Sequence, residues 1–162
     1  MKNEAINDLF KEYYNPLLLY VLSLSKNRFV AEDVVGDAFM KALLTADGKI
    51  KDFRGWAFRV CRNAYFDYAK RKKKIVAADD EQLKDCSELV DSIIKDERYR
   101  ALYSAIDLLE TRYREVVILF YFEEHCLKSI CEIIGKSEEY VKVTLFRARK
   151  KLKSILEVDY GV

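Results

Sequence analysis

Arg59, Arg62, Phe66, Lys70 and Lys73 fall on one side of a helix wound through residues 53 to 74, flanked by Phe58 and Tyr65. A solvated helix face ordinarily mixes both charge signs and carries no large rings. Cations interleaved with rings supply charge for phosphates and π-faces for unstacked bases, which is what a groove for single-stranded nucleic acid requires. The opposite side, Phe53, Ala57, Val60, Ala64 and Tyr68 with Trp56 and Cys61 at its edges, forms a core stripe. Taken alone, the helix fits equally a solvated face whose rings tuck under neighbouring helices. The last helix shows a related pattern. Val141, Leu145, Ala148, Leu152 and Ile155 make its core stripe, while Glu139, Tyr140, Val143, Arg147 and Lys150 face away beside Thr144 and Phe146. An outward valine followed by cations suits a major groove, where apolar groups meet thymine methyls and Arg or Lys takes guanine edges or phosphates.

Catalytic chemistry has no such support. His125, the sole histidine, has no Ser or Asp arrangement nearby that would make a triad, and no glycine-rich phosphate loop occurs. His125, Cys126 and Cys131 lack the paired spacing of a tetrahedral metal site, and Cys131 among Ile130, Ile133 and Ile134 reads as a small buried hydrophobe. The expectation is a binding protein, not an enzyme, with no cofactor and no metal.

The elements that position these faces are helical. Glycine (5) and proline (1) are scarce among 162 residues and no strand-like alternation persists, so the fold class is all-α. A hydrophobic share of 51% is enough for a packed core. The net charge of +2 hides a segregation: Lys70 to Lys74 are consecutively basic, and Arg147, Arg149, Lys150, Lys151 and Lys153 form a second cluster. Asp79, Asp80, Glu81, Asp85, Glu88 and Asp91 lie between them, so two separate contacts with a polyanion are expected. Met1 to Asp8 do not read as a signal peptide, and the apolar run Pro16 to Leu22 is too short to span a bilayer. No membrane insertion, a cytoplasmic location and four reduced thiols are therefore expected.

A first helix is predicted from Glu4 to Ser25, with Ile6, Phe10, Tyr13, Leu17, Tyr20 and Leu24 inward and Pro16 kinking or dividing it. A second runs from Ala31 to Ala46 and ends at Asp47-Gly48. With the helix from Phe53 they make a three-helix domain over residues 1–75. Residues 76–91 read as a flexible acidic linker of poor periodicity. In a second domain, 92–162, one helix spans Ile93 to Leu109, Thr111 caps another reaching Tyr121, and Leu127 to Ile134 stops at Gly135. Ser137 then caps the last helix, giving helix-turn-helix proportions. The fold is thus two small helical domains joined by a linker, the second with a helix-turn-helix.

AEDVVGDAF from Ala31, FRGWAFRVCRNAYFDYAKRKKK from Phe53 and LKSICEIIGKSEEYVKVTLFRARKK from Leu127 together resemble the ECF-type sigma factors of bacterial RNA polymerase. The resemblance covers nearly the whole chain in order. It implies a promoter-specificity subunit that binds core RNA polymerase at its clamp and flap, recognises and melts promoter DNA, and is usually held by an anti-sigma protein. Carried over by position, Glu32, Asp33, Val34 and Asp37 fall in the clamp-binding helix. Trp56, Arg59, Arg62, Asn63, Asp67, Lys70 and Arg71, with Phe66 among them on the same helix, fall on the element that captures the minus-ten sequence. Glu139, Tyr140, Lys142, Val143, Thr144 and Arg147 fall on the reader of the minus-thirty-five sequence. Cys126 stands where members often carry Ser or Thr. Two rivals stay open on the residues alone: an autonomous helix-turn-helix regulator, and an interaction module that mimics a sigma factor without touching DNA.

Overall fold

The computed structural model describes residues 2–45, 52–72 and 80–160 and divides the chain into two compact units, Met1–Leu89 and Val90–Val162. Helices α1 (Lys2–Ser25), α2 (Arg28–Leu44) and α3 (Phe53–Arg71) pack on one another in the first unit. Every residue from Leu17 to Leu24 is buried, so the second half of α1 is the central rod of this unit. Pro16 does not divide α1. The bond lost at Pro16 falls at the edge of an exposed first half, where water can solvate the orphaned carbonyl, while packing of Leu17 to Leu24 holds the axis.

Lys26, at φ 51°, turns the chain, and Asn27 Oδ1 accepts from the Val30 amide at 3.2 Å. That cap starts α2 at Arg28, three residues before the predicted start. The predicted stop at Asp47-Gly48 and the basic residues Lys73 and Lys74 lie outside the described residues. Asp52 caps α3 by accepting from the Gly55 amide at 3.3 Å, and a Cβ on Gly55 would sit 2.5 Å from the same carboxylate. A side chain at this position would therefore displace the Asp52 carboxylate from its capping place.

The predicted core stripe of α3 needs a correction. Its buried residues are Ala57, Phe58 and Cys61, whereas Val60, Ala64 and Tyr68 are half-buried. Phe58 is 0% exposed and its ring lies 5.4 Å from that of Tyr20 on α1. Phe58 thus belongs to the core and not to the outward face. The helix is rotated by roughly 70° about its axis relative to the predicted stripe, taking ~100° per residue.

Residues 76–91 are not a structureless connector throughout. Helix α4 (Asp80–Ile93) occupies most of that span and buries Cys86 and Val90. Charge on its outer side masked a usable apolar face. The single predicted helix from Ile93 to Leu109 is interrupted at Ile94–Asp96, because Asp96 accepts from the Arg98 amide at 2.8 Å and starts α5 (Glu97–Ile106). Arg100 Nε donates to the Ile94 carbonyl at 2.6 Å and secures the corner. Tyr103 takes the buried position and Tyr99 is exposed.

Helix α6 (Thr111–Val117) continues through a wide turn of π geometry over Ile118–Phe122. Glu110, not Thr111, is its cap residue; the Thr111 hydroxyl instead accepts from Arg114 Nη2 at 3.2 Å. Arg114 is buried and its Nη1 donates to the Leu109 carbonyl at 2.7 Å, closing the α5–α6 corner. Val116 to Leu119 are all buried, while Phe120, predicted inward, is half-buried. Helix α7 (Leu127–Ile134) ends at Gly135 with φ 69°, a left-handed conformation in which a side chain is strained. Ser137 Oγ accepts from the Tyr140 amide at 3.1 Å and starts α8 (Glu138–Tyr160), whose Val141, Leu145, Ala148 and Leu152 are buried as predicted. No helix among the described residues is long and apolar enough to cross a membrane.

Candidate nucleic-acid interface

The rotation of α3 turns a particular set outward. At ~100° per residue Trp56, Arg59, Asn63, Phe66 and Lys70 fall within about 80° of arc on the side opposite Ala57, Phe58 and Cys61. Arg59, Asn63 and Lys70 are exposed, and Trp56, Arg62 and Phe66 half-buried. Arg62 is drawn over Phe66, its Cζ 4.6 Å from the ring centroid, and Tyr65 meets Phe66 edge-on at 5.2 Å. These contacts hold the Phe66 ring and the guanidinium as one unit, at about 0.5–1 kcal/mol for an exposed cation–π pair. Trp56 is reached by a chain of rings across the helices: Phe10 to Phe39 at 5.0 Å, Phe39 to Phe53 at 5.7 Å, Phe53 to Trp56 at 6.0 Å. Periodicity within one helix could not show that chain, because its links cross from α1 to α2 to α3.

Asp67 and Arg71 point elsewhere. They line a crevice of about 660 Å³ between α2 and α3, together with Phe29, Asp33, Asp37 and Lys41. Two residues predicted on the nucleic-acid face therefore border the surface of Asp33 and Asp37. Of the four predicted polymerase contacts, Asp33 and Asp37 are exposed. Glu32 accepts from Arg28 Nε at 2.6 Å, and Val34, though largely buried, lines the same crevice as Asp33 and Asp37. Phe29, 68% exposed, is an aromatic on this surface that the sequence reading missed. It lies in the first turn of α2, which the sequence reading placed before the helix start at Ala31.

On α8, Glu139, Tyr140, Lys142, Val143 and Arg147 are exposed. Thr144 is 6% exposed, yet it lines a concavity together with Tyr140, Val143 and Arg147. It lies three residues after Val141 and four before Ala148, on the stripe that faces the core. Lys142 Nζ pairs with Glu138 at 3.1 Å, and Lys136 Nζ stands 5.5 Å from the Tyr140 ring centroid. Tyr140, Val143 and Arg147 form one side of a mixed concavity of about 290 Å³. A separate apolar groove of about 300 Å³ runs between α5, α6 and α8, lined by Leu102, Ile106, Val117, Leu152 and Leu156. Arg149 Nε donates to Tyr121 Oη at 2.5 Å along its border.

The Sigma-70 region 2 family matches residues 9–75, and the Sigma-70 region 4 family matches residues 99–152. The ECF RNA polymerase sigma factor SigM of Bacillus subtilis (strain 168) is 30% identical over 160 residues, covering 93% of this chain and 94% of that protein. The chain belongs to the ECF RNA polymerase sigma factors. The RNA polymerase sigma factor SigV of Bacillus subtilis (strain 168) is likewise 30% identical over 151 residues, covering 92% of this chain and 87% of its own. Among solved structures, CnrH in complex with the cytosolic domain of CnrY aligns with TM-score 0.67 at 23% identity, over 97% of this chain and 90% of that one. The sigma factor RpoE in complex with the anti-sigma factor NepR from Bartonella quintana aligns with TM-score 0.64 at 23% identity, over 94% of this chain and 98% of its own. Both support the helical two-domain fold. As a sigma factor, the chain is a transcription initiation factor that binds core RNA polymerase and directs it to promoter DNA. Sigma factors are non-catalytic.

The cysteines of this sigma factor differ sharply in chemistry. Burial pushes the Cys61 thiol up to about 12, and burial also raises Cys131. Cys126, exposed at the cap position of α7, lies 3.4 Å from Ser129 Oγ, and that hydrogen bond lowers its pKa. The thiolate is the nucleophile, so a raised pKa removes reactivity and a lowered one adds it. Iodoacetamide at pH 8 is expected to label Cys126 at least tenfold faster than Cys61, read by peptide mass spectrometry. Equal rates would contradict the burial of Cys61. Among the described residues no group of three His, Cys, Asp or Glu side chains is placed to hold a metal.

Proposed function

We propose that the sigma factor divides promoter recognition between a domain over 1–75, a connector over 76–91 and a domain over 92–162. In the first, Asp33 and Asp37 meet the polymerase clamp. On α3, Trp56, Arg59, Arg62, Asn63, Phe66 and Lys70 hold the separated minus-ten strand, with Asp67 and Arg71 bordering both surfaces. In the second, Glu139, Tyr140, Lys142, Val143 and Arg147 enter the major groove of the minus-thirty-five element, and the apolar groove along α8 receives the polymerase flap. The observation that carries this reading is the outward set of α3, where cations and half-buried rings alternate along one line. Opening a duplex without a nucleotide fuel requires trapping unstacked bases. Stacking at ~1–3 kcal/mol per base, with phosphate contacts, offsets the few kcal/mol lost on flipping.

The protein acts in the cytoplasm without covalent chemistry of its own, and an anti-sigma protein is its expected regulator, as NepR is for RpoE. An autonomous regulator is disfavoured because family membership ties the chain to polymerase. The test is transcription with purified core polymerase. The chain plus polymerase should give specific transcripts, while the chain alone binds duplex weakly; strong specific binding without polymerase would overturn the reading. Asp33→Arg should weaken polymerase association by about tenfold or more, since reversing an interfacial charge places like charges together. Unchanged association would reject the clamp contact.

A further inference from the structure

Phe53 opens α3 and is the meeting point of rings from all three helices of the first unit. Its ring centroid lies 5.7 Å from that of Phe39 on α2, 5.6 Å from Tyr13 on α1 and 6.0 Å from Trp56 one turn along α3. All three separations fall in the ~4.5–7 Å range of interacting aromatic pairs. Phe39 is buried and meets Phe10 at 5.0 Å, so the inner side of this group is anchored. Phe53 and Trp56 are half-buried at its outer margin. The Trp56 backbone is placed separately: its amide donates to the Asp52 carbonyl at 3.0 Å, within the turn that the Asp52 carboxylate caps. That capping fixes the position of the Trp56 Cα but leaves the side-chain torsions of the indole undecided, and Phe53 is the ring that backs them.

We infer that Phe53 is a positioning residue for promoter opening: it acts through Trp56, holding the indole outward as a stacking platform for an unpaired base. The inference rests on the proposed role of the α3 face in holding the minus-ten strand. A stacking surface is most effective when its plane is already set, because ordering a free ring during capture costs side-chain entropy that stacking must offset. Phe53 sets that plane because Phe39 and Tyr13 close the space behind it. Side chains three apart on a helix lie on the same face, so the Phe53 ring occupies the space into which the indole would otherwise rotate. An aliphatic side chain there leaves part of that space empty and presents no flat surface. Trp56 then samples several rotamers, and fewer of them meet the strand.

Trp56 is the sole tryptophan, so tryptophan fluorescence of the free chain reports this ring alone. Phe53→Leu should speed the local anisotropy decay of Trp56 and raise its quenching by acrylamide. In the holoenzyme the same change should lower the open-complex equilibrium about tenfold, the weight of one stacked base, with polymerase association unchanged. Phe53→Tyr, which keeps the ring, should restore both the fluorescence and the opening. Trp56→Ala should impair opening at least as much, and Phe53→Leu added to it should cost nothing further, because the two side chains act as one unit. Phe53→Met gives the same comparison where thermal unfolding shows Phe53→Leu to be unstable. Additive losses in the double variant would overturn the positioning role, as would impaired opening with an unaltered Trp56 signal or full opening with an altered one. A Trp56→Ala protein that opens DNA normally, while Arg62→Ala with Lys70→Ala fails, would overturn this inference and spare α3 as the helix that holds the strand.

Discussion

Phe58→Ala should remove about 3–5 kcal/mol from the stability of the first unit, the usual range for truncating a fully buried aromatic. Phe58 is 0% exposed and meets Tyr20 at 5.4 Å in the centre of the α1–α3 packing. A domain of this size has only a few kcal/mol more than that in reserve, so the variant should be largely unfolded at 37 °C. Denaturant unfolding followed by circular dichroism measures it. Phe66→Ala is the informative companion, since Phe66 is half-buried on the outward side. It should cost about 1 kcal/mol or less in stability and impair promoter opening. A stable Phe58→Ala protein that failed to open DNA would mean that α3 presents the opposite face to the strand.

The second large effect is on opening. Arg62→Ala combined with Lys70→Ala should lower the open-complex equilibrium by about 100-fold, since the double variant removes two charge-assisted hydrogen bonds worth ~1.5 kcal/mol each. Arg62 counts twice, because its guanidinium also steadies Phe66 at 4.6 Å. The salt slope of opening should fall by about 0.7 for each single-strand phosphate that is no longer neutralised. Polymerase association should be unchanged, because neither residue lines the crevice of Asp33 and Asp37.

The parts of the fold set by short-range chemistry were legible in the sequence. Gly135 and Ser137 mark the α7–α8 turn through a left-handed φ and a hydroxyl cap, both decided within three residues. What depended on a neighbouring element was not legible. The orientation of α3 is chosen by Tyr20 on α1, which takes Phe58 inward and leaves Val60 and Ala64 at the margin. Helix α4 was hidden because acidic residues on its outer side lower the mean hydropathy of a segment that still buries Cys86 and Val90. At the candidate site the residue types on α3 and α8 were found, but not how they are grouped. Thr144 sits at the buried edge of the α8 face, Asp67 joins Asp33 and Asp37, and Arg112 joins the side of Arg147. Each of these depends on packing between helices that no single-helix periodicity contains.

Permanganate reactivity of thymines in the minus-ten region tests most directly whether α3 holds the separated strand. With core polymerase saturated, the wild-type sigma factor should expose reactive thymines there, and the Arg62→Ala, Lys70→Ala protein should leave them protected as duplex. Equal reactivity in both complexes would contradict the assignment of this helix to promoter opening.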